Sequence, residues 1–401
     1  MPCDNFQNGQ AFLLNGGEQG RQLATLPGDQ SYYINTELFT IEMVPRTHVP
    51  PGTVGLVIAK AGQVRPPDQS FGRHVPCDDF QDGQAFLDGG GAQGRQLAVL
   101  AGGTSYDINP ELFEVITVDN VATADGLTTD HLEPIDIPLG TTGVVVTLDG
   151  AEPTRDTTGP VVGRRIDDHS SFRKPWVFLE NGGQRGVQAQ TLGEGAVYAL
   201  NPWFVRVMLI PTRLLILEWM EKTAAESRQY DAELEPISVT VQGFKLRVEV
   251  KQSLQIPEAA APALVSSFGT TKPHGASGVG GLVDDPTPVQ RFVEKILGAT
   301  VAGYFSATAG TATIGEFMYK YAEIRTDLTA QVRHALQAQQ VEPGPRRSAS
   351  SGPRTTACTR GCRRSTGPRC AARSWRWNGS TPSFRTRSTR PGSGSRRSAR
   401  P

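Results

Sequence analysis

Apolar residues fall in two regimes along the chain. Up to about residue 256 they come in short bursts broken by Gly, Pro and polar clusters; beyond residue 287 they recur at helical spacing. "GLVIA" (55–59) and "GVVVT" (143–147) are β-branched runs bounded by Pro-Gly turns, which predicts short strands. In "ISVTVQGFKLRVEV" (237–250) the apolar set is Ile237, Val239 and Val241, then Phe244, Leu246, Val248 and Val250. The phase slips at Gln242-Gly243, which predicts a hairpin with a tight turn. "IPEAAAPALVSSF" (256–268) predicts a short helix, and the Gly-, Pro- and Thr-rich residues 269–286 a loop. Thr287-Pro288-Val289-Gln290 and Thr313-Ile314-Gly315-Glu316 are capping boxes that open two helices. The first carries a stripe of Phe292/Val293, Ile296/Leu297, Thr300/Val301 and Tyr304/Phe305; the second carries Ile314, Phe317, Tyr321, Ile324 and Leu328 as a heptad seam that weakens after Leu328. The most apolar stretch, 198–219, holds Arg206, Pro211 and Arg213 and reads as strands, because a spanning helix needs roughly 20 nearly uncharged apolar residues.

A repeat underlies the first regime. Residues 2–44 align without a gap with 76–118, and 28 of the 43 positions are identical. A more divergent third copy covers 172–205. The shared pattern in the first copy is Phe6, Phe12-Leu13, Gly16-Gly17, Gly20, Gln22, Leu26, Gly28, Tyr32 and Ile34-Asn35. "PPGTVGLVIAKAG" (50–62) likewise matches "PLGTTGVVVTLDG" (138–150). One unit is therefore a PxGTxG strand, a spacer and a Phe/Gly/Tyr block, too short to bury its apolar face except against its neighbours. The first copy begins mid-unit, without its PxGTxG strand. The expectation is that Met1 is not the natural start and that upstream sequence is missing.

The glycines of "NGGEQGRQ" (15–22), "GGGAQGRQ" (89–96) and "NGGQRGVQ" (181–188) invite a phosphate-loop reading. Such a loop needs a strand before it and a helix after it, whereas these run on into turn and strand chemistry. Turn glycines are the preferred reading, with no nucleotide, cofactor or metal expected.

Net charge is zero only as an average. Residues 343–401 carry 15 Arg and no Asp, Glu or Lys, which leaves 25 basic and 40 acidic side chains on residues 1–342. The tail also lacks Leu, Ile, Val, Met and Tyr. It can be read as a basic lipid- or nucleic-acid-binding arm, as unselected disorder, or, preferred here, as a shifted reading frame of GC-rich coding sequence. Cys3 and Cys77 occupy equivalent repeat positions, Cys358, Cys362 and Cys370 lie in the tail, and no pair has zinc-site spacing, which favours reduced thiols. No signal peptide opens the chain: residues 1–20 lack a basic start followed by an apolar run. The histidines at 48, 74, 131, 169, 274 and 334 are expected at the surface; His74 with Cys77, and Asp167-Asp168 with His169, complete no triad or metal spacing. Asp284-Asp285 sit just ahead of a helix, where they favour its positive end. No catalytic residue is assigned.

The hairpin, "IPEAAAPALVSSFG" and "VQRFVEKILGATVAGYFSATAGTATIGEFMYKYAEIRTDLTAQV" together resemble the stomatin/prohibitin/flotillin (SPFH, band 7) domain. Ile314, Glu316 and Arg325 match the family's later stretch, while Ser306-Ala307 stands where many members have an arginine. The PxGTxGLV and GGxxGxQ blocks resemble the entry strands of flotillin-like members, here multiplied. The resemblance spans about residues 137–341 and implies a non-enzymatic scaffold on the cytoplasmic side of a membrane, organising protein complexes or lipid microdomains. It departs from the family in lacking an N-terminal membrane segment and a long coiled coil. The expected fold class is α+β: a truncated β unit at 1–62, a second at 63–136, a third at 137–217 leading into an SPFH-like core at 218–310, a coiled-coil-like helix at 311–342 and the tail at 343–401. Expected partners are further copies of the chain, through Tyr321, Ile324 and Leu328, and membranes or membrane proteins, with no specific nucleic acid. The alternative is a soluble vault-like cage subunit; a ligand- or nucleotide-binding enzyme stands third.

Overall fold

A computed structural model describes residues 3–121, 126–153, 159–219, 232–234, 236–269, 287–337 and 342–343. The Asp284-Asp285 pair, His274 and the arginine-rich tail lie outside the described residues. The fold is α+β, with small antiparallel sheets and short helices. It divides into two units, one of residues 1–216, 253–304 and 320–344, the other of 217–252, 305–319 and 345–401.

In the first unit each Phe/Gly/Tyr block opens on a turn of three successive left-handed residues: Asp4, Asn5 and Phe6, then Asp78, Asp79 and Phe80, then Ser170, Ser171 and Phe172. Asp, Asn and Ser tolerate this conformation better than bulkier residues. A six-residue helix follows each turn: α1 (Gly9–Leu14), α2 (Gly83–Asp88) and α3 (Pro175–Glu180). Asn8 and Asp82 cap the first two through Ala11 N–H and Ala85 N–H, each at 2.9 Å. The third begins on Pro175, whose missing N–H needs no cap. The helices escape the hydrophobic pattern because six residues are less than two turns, too few to show a period.

Strands surround the second and third helices. β1 (Thr47–Val49), β2 (Val54–Ala59), β3 (Gly94–Ala101), β4 (Thr104–Tyr106) and β5 (Phe113–Ile116) belong to the second copy, with β2 central between β3 and β5. In the third copy β6 (Ile135–Ile137), β7 (Thr141–Thr147), β8 (Gly186–Leu192), β9 (Ala196–Tyr198) and β10 (Val205–Pro211) follow the same scheme, with β7 central between β8 and β10. The PxGT turns place Gly52 and Gly140 at φ 73° and 74°, and the Thr53 and Thr141 hydroxyls donate back to the Pro50 and Pro138 carbonyls. The 198–219 stretch holds no helix: it carries β10 and a further strand at Leu214–Trp219, with a turn at 202–204 before them. Among the described residues no helix is long and apolar enough to cross a membrane.

β2 shows how the two sides of a unit are used. Odd positions Val57 and Ala59 join Phe80, Phe86 and Phe113 around α2. Even positions Val54 and Leu56 join Phe172, Phe178 and Phe204 of the third copy. Strand period 2 therefore sends one face to the unit's own helix and the other to the next unit. On β7, Val145 turns toward α3, while α4 (Ala261–Phe268) packs on β7 and β8.

α4 is the helix expected from "IPEAAAPALVSSF". After it come α5 (Thr287–Phe292), a π-helical segment Val293–Gly298 and α6 (Ala299–Thr311), which bury Phe292, Val293, Leu297, Val301 and Phe305. The predicted stripe is present on Phe292, Val293, Leu297, Val301 and Phe305, while Ile296, Thr300 and Tyr304 are half-buried. The second unit contains β11's end (Leu214–Trp219), β12 (Ala232–Leu234), and the hairpin β13 (Ile237–Val241) and β14 (Phe244–Val248). Gln242 and Gly243, at φ 48° and 85°, form the tight turn read from the phase slip. Phe244 departs from the expected apolar set: it is 39% exposed beside the turn. Buried Glu218 is ion-paired to Lys251 of β15 (Val250–Gln255).

The heptad helix differs from expectation. α7 (Ile314–Tyr319) ends and α8 (Tyr321–Gln337) begins around Lys320. Glu316 and Thr313 do form the expected capping box, at 3.0 and 3.2 Å. The ring of Phe317 lies tilted 6.4 Å from that of Phe305 in the second unit, whereas Leu328 is buried in the first. The two halves of the seam serve different cores. The buried face does not fade after Leu328 but continues through Val332 and Leu336, four residues apart, with the π-helical segment alongside. The side chain of Tyr321 lies outside the described residues.

Candidate functional site

The glycine loops follow helices rather than precede them. Gly16, Gly90 and Gly182 hold φ 73°, 76° and 71° just past α1, α2 and α3. Their N–H groups donate to Leu13, Leu87 and Leu179, and the next glycines, Gly17, Gly91 and Gly183, donate to Phe12, Phe86 and Phe178 at 2.8 Å each. This paired pattern is a Schellman ending. It commits the amides a phosphate would need, at the carbonyl end of the helix, where the dipole repels anions. The second glycine of each pair answers to packing. A Cβ on Gly17, Gly91 or Gly183 would lie 2.4, 2.5 or 2.2 Å from the phenylalanine ring of its own helix. The motif glutamine ties the loop down: Gln22, Gln96 and Gln188 each donate through Nε2 to two loop carbonyls, at 2.6–3.1 Å.

The motif asparagine joins one copy to the next. Oδ1 of Asn35, Asn109 and Asn201 accepts from the N–H two residues on, at 2.9 Å each. Nδ2 of Asn109 reaches the carbonyls of Gln22 and Leu23 in the first copy, and Nδ2 of Asn201 those of Gln96 and Leu97 in the second, both at 3.0 Å. Gln22-Leu23 and Gln96-Leu97 are equivalent positions, so the same clamp recurs. Beside it Arg21 pairs with Glu111 at 2.6 Å, and the equivalent Arg95 lies 4.9 Å over the ring of Trp203, the equivalent of Glu111. Exposure follows position: Asn201 is 3% and Asn109 9% exposed, whereas Asn35, with no earlier copy described, is open to solvent. Periodicity could not have revealed this clamp. Its only trace in the sequence is the recurring (I/L)N after the tyrosine.

The cleft between the second and third copies has a volume of 310 Å³ and is lined by Asp68, Arg73, His74, Asp149, Trp176 and Glu180 among others. His74 stacks on Trp176, ring centroids 3.7 Å apart and nearly parallel. Burial lowers its pKa below the ordinary imidazole value, against the opposite pull of Glu180. Among the described residues the lining holds no hydroxyl, thiol or amine that the imidazole could activate. Cys77, grouped with His74 by sequence, is instead buried in the turn before α2, where burial pushes its thiol pKa up. His169, expected at the surface, is 1% exposed: it occupies the repeat position of Cys3 and Cys77, accepts from Phe172 N–H at 2.8 Å and contacts Gln190 at 2.9 Å. Among the described residues no three His, Cys, Asp or Glu side chains gather to hold a metal.

No family model matches the chain, and no curated protein matches it.

Proposed function

We propose that the chain is a non-enzymatic scaffold of SPFH (band 7) type, in which repeated β units lead into an SPFH-like α/β region. It self-associates and organises membrane-associated protein complexes or lipid microdomains. The observation that carries this reading is the use made of the repeat motif. Its glycines end helices, its glutamine closes a loop and its asparagine clamps the preceding copy, so the residues most suggestive of ligand chemistry are spent on building a surface. The order of hairpin, short "IPEAAAPALVSSF" helix and longer helices supports the SPFH assignment.

Flotation with anionic liposomes, paired with analytical ultracentrifugation, tests this function. The chain should float with vesicles and sediment as an oligomer. The serial asparagine clamp favours one rival, a soluble cage subunit, which would sediment as a large particle and stay at the bottom of the flotation gradient. Micromolar nucleotide binding in equilibrium dialysis would move the assignment to the enzyme class.

A further inference from the structure

The cleft between the second and third copies is built by departures from the repeat. Trp176 on α3 stands where the first and second copies carry exposed Gln10 and Gln84. His74 stands where the third copy carries buried Ile166, and Asp149 where the second carries Ala61. The unit's own packing does not call for the tryptophan or the aspartate, since α2 and β2 form with the glutamine and the alanine in place. All three residues line the same cleft. Phe71 and Leu97, both buried, and Leu179, half-buried, give it apolar lining. The half-buried ring of Trp176, with His74 stacked on it, adds a flat aromatic surface. Asp68, Asp149 and Glu180 add three carboxylates. Among the described residues none of the three is ion-paired, and neither is Arg73, the one arginine of the lining. Asp149 accepts from the N–H of Gly150 at 2.8 Å. Burial holds His74 toward its neutral form, so it does not offset the carboxylates. Residues 1–342, with 40 acidic and 25 basic side chains, add a field of the same sign, which concentrates cations in such a cleft.

We infer that this cleft binds an organic cation, an ammonium or guanidinium group carried on an apolar stem. The stem lies against Trp176, Leu179, Phe71 and Leu97, and the charged head reaches Asp68, Asp149 and Glu180. A cation near the indole face gains from the ring as well as from the carboxylates. The volume of 310 Å³ stands at the small end of ligand pockets, about 300–1,000 Å³, and suits one alkylamine or one basic side chain. An anion would meet three carboxylates against a single arginine. A free amine and a lysine or arginine side chain of a partner protein share the required chemistry, and the experiment separates them.

Isothermal titration calorimetry of the full chain with agmatine, and separately with acetyl-glycyl-arginyl-glycinamide, tests the site. The expected result is saturable one-to-one binding of at least one of them, with a Kd below about 1 mM in low salt and weaker as sodium chloride is raised. Binding of agmatine alone assigns the site to a free amine, and binding of the peptide alone to a partner's side chain. Trp176→Gln and Asp149→Ala each install the residue of an earlier copy, so both should stay folded by circular dichroism. The first should weaken binding about tenfold and the second about threefold. Arg73→Gln, which removes a competing positive charge, should tighten it. No saturable binding of either compound at about 10 mM overturns the inference. So does binding that Trp176→Gln and Asp149→Ala both leave unchanged, which would be general attraction to an acidic surface. Binding that salt does not weaken overturns it as well, because the carboxylates would then carry none of the affinity.

Discussion

Gly91 and Phe86 illustrate how single residues are chosen here. The ring of Phe86 is fully buried against a backbone that can carry no Cβ, so the glycine is fixed by a neighbour five positions earlier. Sequence shows that such a glycine recurs, not that a ring lies on it, because six-residue helices leave no period to place the ring. His74 is a second residue whose neighbour is remote, and its titration can be tested. Its pKa is depressed by burial, so the unfolded chain binds the proton more readily than the folded one. Its contribution to stability is therefore complete above the unfolded value, about 6.5, and is lost as pH falls below it toward the folded value. Between pH 7.5 and 5.5 the melting temperature of the wild type should fall more steeply than that of His74→Phe, which keeps the stack on Trp176 without the proton. The difference cannot exceed about 1.4 kcal/mol per pH unit for one group. Parallel pH profiles for the two proteins would show that His74 does not couple to folding.

At the level of elements, strands and the hairpin were legible because period 2 and a one-residue slip survive in four or five residues. The repeat helices were not, and the asparagine clamp could not be, since it links residues 86 to 105 apart. The clamp should matter unequally along the chain. Asn201→Ala removes two bonds to carbonyls that would remain buried and unpaired, at a cost of about 1–3 kcal/mol. Asn35→Ala removes only an exposed cap to Glu37, at a cost of about 0.5 kcal/mol or less. Urea unfolding of both variants checks the ranking. Equal losses would mean that the inter-copy bonds carry no stability of their own.

Across the whole molecule, the expected seam joins one long helix to a neighbouring subunit, but the chain breaks that helix around Lys320 and divides its apolar residues between two cores. No heptad pattern can reveal this, because a seam that packs internally has the same spacing as one that packs on a partner. Leu328, Val332 and Leu336 face their own chain, while Glu323, Arg325, Asp327 and Gln331 are exposed. Ile324 is the one seam residue on α8 that is described as half-buried, with its carbonyl held by the Tyr304 hydroxyl at 3.0 Å. Substitutions at the two positions should therefore separate assembly from folding. Leu328→Asp buries a charge and should cost about 3 kcal/mol or more, lowering the melting temperature whatever the oligomeric state. Ile324→Asp should leave circular dichroism and melting near wild type and shift sedimentation from oligomer toward monomer. An Ile324→Asp protein that sediments like the wild type would place the contact between copies elsewhere than on α8.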